Sequence, residues 1–219
     1  MSIKDLTIGF IGLGLMGKPM SLNLHRAGAK LMVHNRSQAV VQELARAGVA
    51  SASSPRAVAQ RSTIIILMLS DTPAVESVLR ADDGVLGGMQ MGSLVIDMGT
   101  TTVLATRGFA AEVHKAGSEY VDAPVSGGQI GAIEGKLTIM AGGTDGAFER
   151  ARPLLDALGT HVTHVGAVGA GQVAKAANQI IVGLTIGAVA ESTARGICLV
   201  TNYGVARATD DRWRIPTRR

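Results

Sequence analysis

The sequence predicts an α/β fold with a doubly wound, mostly parallel sheet, followed by one long helix. Short runs of β-branched and aliphatic residues alternate with segments of helical period along most of the chain. The run Ile64–Leu69 is apolar without a break, which is typical of a strand covered on both faces. From about Ala170 to Val200 there is neither a proline nor a further strand pattern. With 219 residues, 47% of them hydrophobic, the chain is long and apolar enough to bury a large core.

The element boundaries follow from these patterns. Strands are predicted at Leu6–Ile11, Lys30–His34, Ile64–Leu69, Leu94–Met98, Tyr120–Val121, Leu137–Ala141 and His161–Val165. Helices are predicted at Met16–Ala27, Ala39–Ala47, Pro55–Gln60, Pro73–Leu79, Val103–Lys115 and Gly146–Leu158. The change of character near Gly166 predicts a domain boundary there, with a first domain at 1–165 and a second part at 166–219.

The apolar run Ala176–Ala190 is interrupted by Asn178 and Gln179 and is shorter than the roughly 20 residues that span a bilayer. We interpret it as a buried helix and expect no membrane association. The N-terminus has no pattern of an export signal. A cytoplasmic location is therefore expected.

The net charge of +4 arises in the last part of the chain. After position 191 there are six arginines, and the acidic residues there are Asp210 and Asp211. The neutral body argues against specific nucleic-acid binding, and the tail is interpreted as a solvated end. Cys198 is the only cysteine, which excludes an intramolecular disulfide and fits a reducing compartment. The five histidines are scattered, so no metal site is expected.

The segment Gly12-Leu13-Gly14-Leu15-Met16-Gly17 is a G-x-G-x-x-G motif between the first predicted strand and the first predicted helix. Its glycines allow a tight turn, close approach of a pyrophosphate and close packing of helix on strand. The helix N-terminus would attract the phosphates. The motif predicts a Rossmann-type dinucleotide-binding domain, and a purely structural glycine turn is the alternative.

Asn35, Arg36 and Ser37 follow the second strand, where a carboxylate would accept from a ribose 2′-hydroxyl and an arginine would accommodate a 2′-phosphate. Without a carboxylate, the segment favours NADP, while NAD stays possible and Arg36 could be an ordinary surface cation. Leu69 ends the third predicted strand, and Thr100 follows the fourth. We assign them to the cofactor, with turn or helix-capping roles as the alternative.

Two further groups could hold a substrate. Ser126, Gly127 and Gly128 could present a hydroxyl and N–H groups to a carboxylate, although a simple turn fits the residues equally well. Lys175 lies among alanine and valine, where burial can lower an amine pKa enough for proton transfer. Asn178 and Gln179 share its helix face. Taken alone, the pattern favours a lysine that merely covers the helix surface.

Three segments together resemble the β-hydroxyacid dehydrogenase family, which includes 3-hydroxyisobutyrate dehydrogenase and tartronate semialdehyde (2-hydroxy-3-oxopropionate) reductase. They are IGFIGLGLMGKPM at 8–20, DAPVSGGQIGAIEGKLTIMAGG at 122–143 and GAGQVAKAANQIIVGLTIGAVAE at 169–191. The resemblance implies hydride transfer between NADP(H) and a small 3-hydroxy or 3-oxo acid. It implies Lys175 as the catalytic acid/base, with Ser126, Gly127 and Gly128 on the substrate carboxylate and Asn178 beside them. Gln179 stands where the family variably has Asn.

Family members continue into an all-helical domain, so the resemblance implies a long interdomain helix and a truncated all-α domain within 166–219. Ser70 and Gly99 also depart from the family pattern. Two alternative functions remain. The first is a catalytically impaired dinucleotide-binding remnant. The second is an imine reductase of the same architecture, which the presence of Lys175 disfavours. Because the helix would leave apolar surface uncovered, a homo-oligomer is expected.

Overall fold

The computed structural model describes residues 3–206, and for 194–206 it describes the backbone alone. Tertiary contacts divide the chain into two units, Met1–Ala176 and Ala177–Arg219. The arginine-rich end beyond 206, which is predicted to be solvated, and the side chain of Cys198 lie outside the described residues. The contact division falls inside a helix rather than at Gly166, so the boundary predicted near Gly166 stays a prediction.

The elements alternate between strand and helix, as predicted. The strands are β1 (Thr7–Ile11), β2 (Lys30–His34), β3 (Ala50–Ser51), β4 (Ile64–Leu67), β5 (Leu94–Asp97), β6 (Glu119–Asp122), β7 (Val125–Ser126), β8 (Leu137–Gly142) and β9 (Gly159–Gly166). The helices are α1 (Gly17–Arg26), α2 (Gln38–Arg46), α3 (Pro55–Ala59), α4 (Thr72–Arg80), α5 (Val103–Lys115), α6 (Gly128–Glu134), α7 (Asp145–Asp156) and α8 (Ala170–Ala206). A 3₁₀ turn at Ile3–Asp5 precedes β1.

The strands form one sheet in the order β3-β2-β1-β4-β5-β6-β8-β7, and β9 pairs with β8. Only the pairs β6–β8 and β7–β8 are antiparallel. The prediction of a doubly wound, mostly parallel sheet is confirmed. The last residues of β1, β4, β5 and β6 are aligned in register, since Ile11 pairs with Leu67, Leu67 with Asp97, and Asp97 with Asp122. The loops that follow these strands therefore leave the sheet at one edge, where doubly wound folds bind ligands.

Alternation along the central strands explains how both faces of the sheet are buried. In β4, Ile64 and Ile66 belong to one hydrophobic cluster, whereas Ile65 and Leu67 belong to the other. All four side chains are buried. Side chains of successive strand residues point to opposite faces, so an uninterrupted apolar run supplies two cores at once.

Sequence patterns missed three short elements. The edge strand β3 has two residues, and the glycine-rich segment after β6 forms β7 and α6 rather than a simple turn. Strand β7 pairs with β8, since Ser126 faces Thr138 in register. Two-residue strands carry too few residues for a periodic pattern, which is why pairing alone reveals them.

The second unit consists, among the described residues, of the continuation of α8. From 179 to 193 its side chains are exposed, for example Ile180 and Leu184 at 63% and 69%. The prediction of a helix is confirmed, but the prediction that the run Ala176–Ala190 is buried is wrong. The described part of this unit is a single helix and provides no second element on which these side chains could pack. By length and composition alone, the segment Ala170–Thr193 could cross a membrane, a test that core helices of soluble proteins also pass.

Candidate active site

The turn between β1 and α1 has the geometry of a phosphate-binding loop. Gly12 has a φ of +98°, and a Cβ there would overlap the carbonyl oxygen of Met68. A Cβ on Gly17 would overlap the carbonyl oxygen of Gly12, whereas the space beside Gly14 is open. The first and third glycines are thus required for packing, and the second leaves room for a ligand.

The N-terminus of α1 is available for an anion. Met16 occupies the cap position, where no side chain accepts from the first N–H groups, and the first turn contains no acidic residue. Free N–H groups at the positive end of a helix dipole bind phosphate. A cleft of about 800 Å³ opens beside the turn, with Leu13, Gly14 and Ser37 among its lining residues. The residues of this turn fit the pyrophosphate of a dinucleotide.

Asn35 ties the end of β2 to this turn. Its Oδ1 accepts from the backbone N–H of Leu13 at 3.0 Å, and its Nδ2 donates to the carbonyl oxygen of Ser37 at 3.1 Å. Arg36 and Ser37 are exposed, and Ser37 does not use its hydroxyl to cap α2. Arg36 forms no ion pair with any of the side chains that the structure describes. A cation and a hydroxyl thus stand free next to the glycine turn.

Leu69 and the loop after β5 complete the same edge. The side chain of Leu69 lies against Gly12, and its carbonyl oxygen would be 2.8 Å from a Cβ on Gly99. Thr100 is exposed. Neither Leu69 nor Thr100 caps a helix, because Asp71 and Thr102 cap α4 and α5. The two loops assigned to the cofactor are therefore adjacent to each other and to the glycine turn.

The second glycine-rich segment has a backbone that suits glycine alone. Gly127 and Gly128 have φ values of +132° and +60°, and Gly127 caps α6. The space beside Gly128 is open, and both glycines are exposed. Ser126 is half-buried, and its hydroxyl has no hydrogen-bond partner among the described backbone groups and side chains. A hydroxyl and exposed N–H groups are the donors that a carboxylate ligand needs.

Lys175 is a buried amine on the second turn of α8. The residue is only 8% exposed, and burial lowers the pKa of its ammonium group. Its Nζ has no partner among the described side chains and backbone groups. An unpaired buried lysine is unusual in a purely structural position, because burial of an unpaired charge costs free energy.

A buried carboxylate holds the start of α8. The backbone N–H groups of Gly169 and Gln172 donate to Oδ1 and Oδ2 of Asp122 at 2.7 and 2.9 Å. Burial raises the pKa of Asp122, and these N–H groups oppose that shift. A Cβ on Gly171 would overlap the carbonyl oxygen of Met140. The helix that carries Lys175 is thus fixed closely against β6 and β8.

Sequence reasoning missed Asp97, Asp122 and Gln172. Asp97 is fully buried at the end of β5, where it accepts from the N–H of Gly99 at 3.0 Å and from the hydroxyl of Tyr120 at 3.0 Å. Burial raises its pKa to about 7. An aspartate at the end of two adjacent predicted strands was the available signal for Asp97 and Asp122, whereas no sequence pattern points to Gln172.

Asn178 and Gln179 belong to the second unit. Nδ2 of Asn178 donates to Oε1 of Gln179 at 3.4 Å, and Gln179 is exposed. The first unit contains the other residues that the sequence assigned to the site. Among the described residues, no group of three or more His, Cys, Asp or Glu side chains could hold a metal ion.

Residues 7–166 match the family described as the NAD binding domain of 6-phosphogluconate dehydrogenase. The chain is 46% identical over 187 residues to the 2-hydroxy-3-oxopropionate reductase of Escherichia coli K12, covering 85% of this chain and 64% of that protein. It thus spans about 64% of the length of the first curated relatives it matches.

Solved structures of related proteins have the same fold. Mycobacterium tuberculosis 3-hydroxyisobutyrate dehydrogenase with L-serine has a TM-score of 0.84 at 32% identity, covering 95% of this chain and 72% of that one. An imine reductase from Myxococcus stipitatus in complex with NADP+ has a TM-score of 0.76 at 26% identity, covering 93% and 71%.

Proposed function

The chain belongs to the β-hydroxyacid dehydrogenase family and contains its NAD-binding domain, and from this premise we propose that it acts in hydride transfer between NADP(H) and a small 3-hydroxy or 3-oxo acid. The observation that carries the proposal is the buried, unpaired amine of Lys175 on a helix fixed against the sheet edge where the glycine turn lies. The names of the relatives support one of two substrates: 2-hydroxy-3-oxopropionate, which would be reduced, or 3-hydroxyisobutyrate, which would be oxidised.

NADP is proposed over NAD because of the end of β2. A ribose 2′-phosphate needs a cation and hydrogen-bond donors, and exposed Arg36 and Ser37 supply both beside the glycine turn. The residues 35–37 contain no carboxylate that would accept from a 2′-hydroxyl and repel a phosphate. Leu13, Gly14, Leu15 and Met16 would face the pyrophosphate, with Leu69 and Thr100 on the neighbouring loops.

In the proposed reaction, Lys175 is the group that donates or accepts the proton. The reduced nicotinamide, when bound, supplies the hydride to the carbonyl carbon. The ammonium of Lys175 donates a proton to the carbonyl oxygen as that oxygen gains negative charge, which leaves a neutral amine that regains its proton from solvent. The lowered pKa makes Lys175 a better proton donor than an exposed lysine. In the direction of alcohol oxidation, the neutral amine accepts the hydroxyl proton.

The remaining residues orient the substrate. Ser126 and the N–H groups of Gly127 and Gly128 would bind the carboxylate, since the two glycines leave the backbone accessible there. Asn178 and Gln179 are proposed as further contacts to the substrate. Binding of the carboxylate would hold the carbonyl carbon at a fixed distance from the hydride donor. Such positioning increases the rate because the reacting groups are already in place.

The test is the oxidation of NADPH and NADH by the purified chain with 2-hydroxy-3-oxopropionate. We expect turnover that is faster with NADPH and that disappears in Lys175→Met. Lys115→Met is the matched control, because Lys115 is an exposed lysine at the end of α5. Turnover that persists in Lys175→Met would overturn the assigned proton donor.

A second candidate function is dinucleotide binding without turnover. It is favoured by the exposed apolar side chains of α8, such as Ile180 and Leu184, which a working enzyme would be expected to cover. Tight NADPH binding without NADPH oxidation would support it. An imine reductase is the weaker rival, because by the family resemblance imine reductases usually carry another residue where this chain has Lys175. Reduction of a cyclic imine, with no reduction of the semialdehyde, would favour that rival.

A further inference from the structure

The side-chain amide of Gln172 forms two hydrogen bonds with the backbone of the loop that follows β5. Its Nε2 donates to the carbonyl oxygen of Gly99 at 2.9 Å, and its Oε1 accepts from the backbone N–H of Thr101 at 3.2 Å. The side chain is buried, with the residue only 3% exposed. Thr100 lies between the two bonded residues and is exposed. The amide therefore pairs with the loop backbone on both sides of Thr100, as a neighbouring strand would.

The other end of Gln172 is fixed equally firmly. Its backbone N–H donates to Oδ2 of Asp122 at 2.9 Å, and the preceding Gly171 leaves no room for a side chain against β8. Lys175 follows three residues later, so it lies on the same side of the helix as Gln172. A movement of the loop at 99–101 cannot leave the start of α8 in place without breaking one of these buried hydrogen bonds.

We propose that Gln172 is a positioning residue that couples the loop at 99–101 to Lys175, so that dinucleotide binding at the loop orders the amine for proton transfer. The inference rests on the proposed function, which assigns Thr100 to the cofactor and Lys175 to the proton. The physical basis is the burial of both amide contacts. Loss of either one leaves a buried backbone group without a partner, which proteins avoid.

Hydrogen–deuterium exchange with and without NADPH tests the coupling, together with the dissociation constant of NADPH. In the wild-type chain, we expect NADPH to slow exchange about threefold both at 99–102 and at 170–176. In Gln172→Met, which keeps the length of the side chain without its hydrogen bonds, protection should remain at 99–102 and vanish at 170–176. The dissociation constant of NADPH should rise about tenfold. Gln42→Met, on the exposed face of α2, is the matched control and should behave as wild type.

Gln172→Glu provides a second variant should Gln172→Met fail to fold. As the uncharged acid, the introduced side chain can donate to Gly99 and accept from Thr101, whereas its carboxylate cannot donate. Coupling should therefore be present at low pH and disappear as pH rises. The wild-type chain at the same pH values controls for titration of Asp97 and Asp122, which contact the loop and the helix start.

The outcomes separate the coupling from the proposed function. If NADPH does not bind the wild-type chain, the proposed function is wrong and the coupling falls with it. If NADPH binds and protects 170–176 equally in wild type and Gln172→Met, the coupling alone is wrong. A drop in melting temperature with unchanged protection at 170–176 would show that Gln172 only stabilises the fold.

Discussion

The hydroxyl of Tyr120 donates to Oδ2 of Asp97 at 3.0 Å, and both residues are fully buried on the adjacent strands β5 and β6. Burial raises the pKa of Asp97 to about 7, although hydrogen bonds from Gly99 and Tyr120 favour the carboxylate. Burial, together with the neighbouring carboxyl group of Asp97, raises the pKa of Tyr120 well above its ordinary value. Asp97, with its pKa near neutral, is thus hydrogen-bonded to the loop at 99–101 through the N–H of Gly99.

Asp97 should make the folded state less stable as pH rises from about 4 to about 7. In this window the unfolded chain has lost the proton of Asp97, since its ordinary pKa is about 3.9, while the folded chain keeps it. The folded state binds more protons, so raising the pH lowers the free energy of unfolding, on the order of a few kcal/mol.

Urea unfolding of wild type and Asp97→Asn across this pH range measures that effect. The variant should gain stability relative to wild type as the pH rises, because the introduced amide does not titrate. Its amide oxygen can still accept from the N–H of Gly99, and its amide NH2 can donate to the hydroxyl oxygen of Tyr120. A stability difference that does not change with pH would contradict the raised pKa of Asp97.

Arg36 should control the choice between NADPH and NADH. Arg36→Ala removes the cation proposed to contact the 2′-phosphate, so the dissociation constant of NADPH should rise about tenfold or more while that of NADH stays nearly constant. Nicotinamide fluorescence measures both constants. Arg46→Ala, at the other end of α2, is the control. Equal weakening of both cofactors by Arg36→Ala would rule out recognition of the 2′-phosphate.

Gly171→Ala should destabilise the chain by about 1–3 kcal/mol, because the added Cβ overlaps the carbonyl oxygen of Met140 and lies 2.8 Å from that of Asp122. Gly108→Ala in α5 is the matched control. Nothing lies within 4 Å of a Cβ there, so that variant should be about 0.5–1 kcal/mol more stable than wild type. Thermal unfolding followed by circular dichroism compares them, and similar melting temperatures would contradict the close packing at Gly171.

Lys175→Met should separate stability from activity. The rate of carbonyl reduction should fall by about 10²-fold or more because the proton donor is lost. The melting temperature should stay constant or rise, since the variant no longer buries an unpaired ammonium group. In the wild-type chain, reduction should slow as alkaline pH removes the proton of Lys175. A pH-independent rate would contradict its role as the acid.

The exposed apolar face of α8 should drive self-association of the chain. Ile180 and Leu184 are four residues apart and therefore adjacent on the helix surface. Light scattering should give more than one chain per particle for the wild type and a larger monomer fraction for Ile180→Lys combined with Leu184→Lys. A wild-type chain that is monomeric at all concentrations would refute the expected homo-oligomer.

Several features could be predicted because their signals are local. The apolar run Ile64–Leu69 predicted a strand buried on both faces, which the structure has at Ile64–Leu67. The glycines at 12, 14 and 17 predicted the turn between β1 and α1. The helices α4 and α7 begin within one residue of the predicted starts at Pro73 and Gly146. Each of these patterns lies within about ten residues, where backbone sterics and side-chain alternation restrict the conformation.

By itself, then, the sequence determined the alternation of strands and helices, the phosphate-binding turn, and Lys175 as a candidate through its family resemblance. Tertiary structure alone decided that Asp122 meets Gln172, 50 residues apart, and that Gln172 brackets Gly99 and Thr101. It also placed Asp97 and Tyr120 together in a buried environment. The physical reason is that hydrogen bonds and pKa shifts depend on which groups meet and how much water is excluded. Which groups meet and how much water is excluded are both fixed by the packing of strands and helices that are distant in sequence.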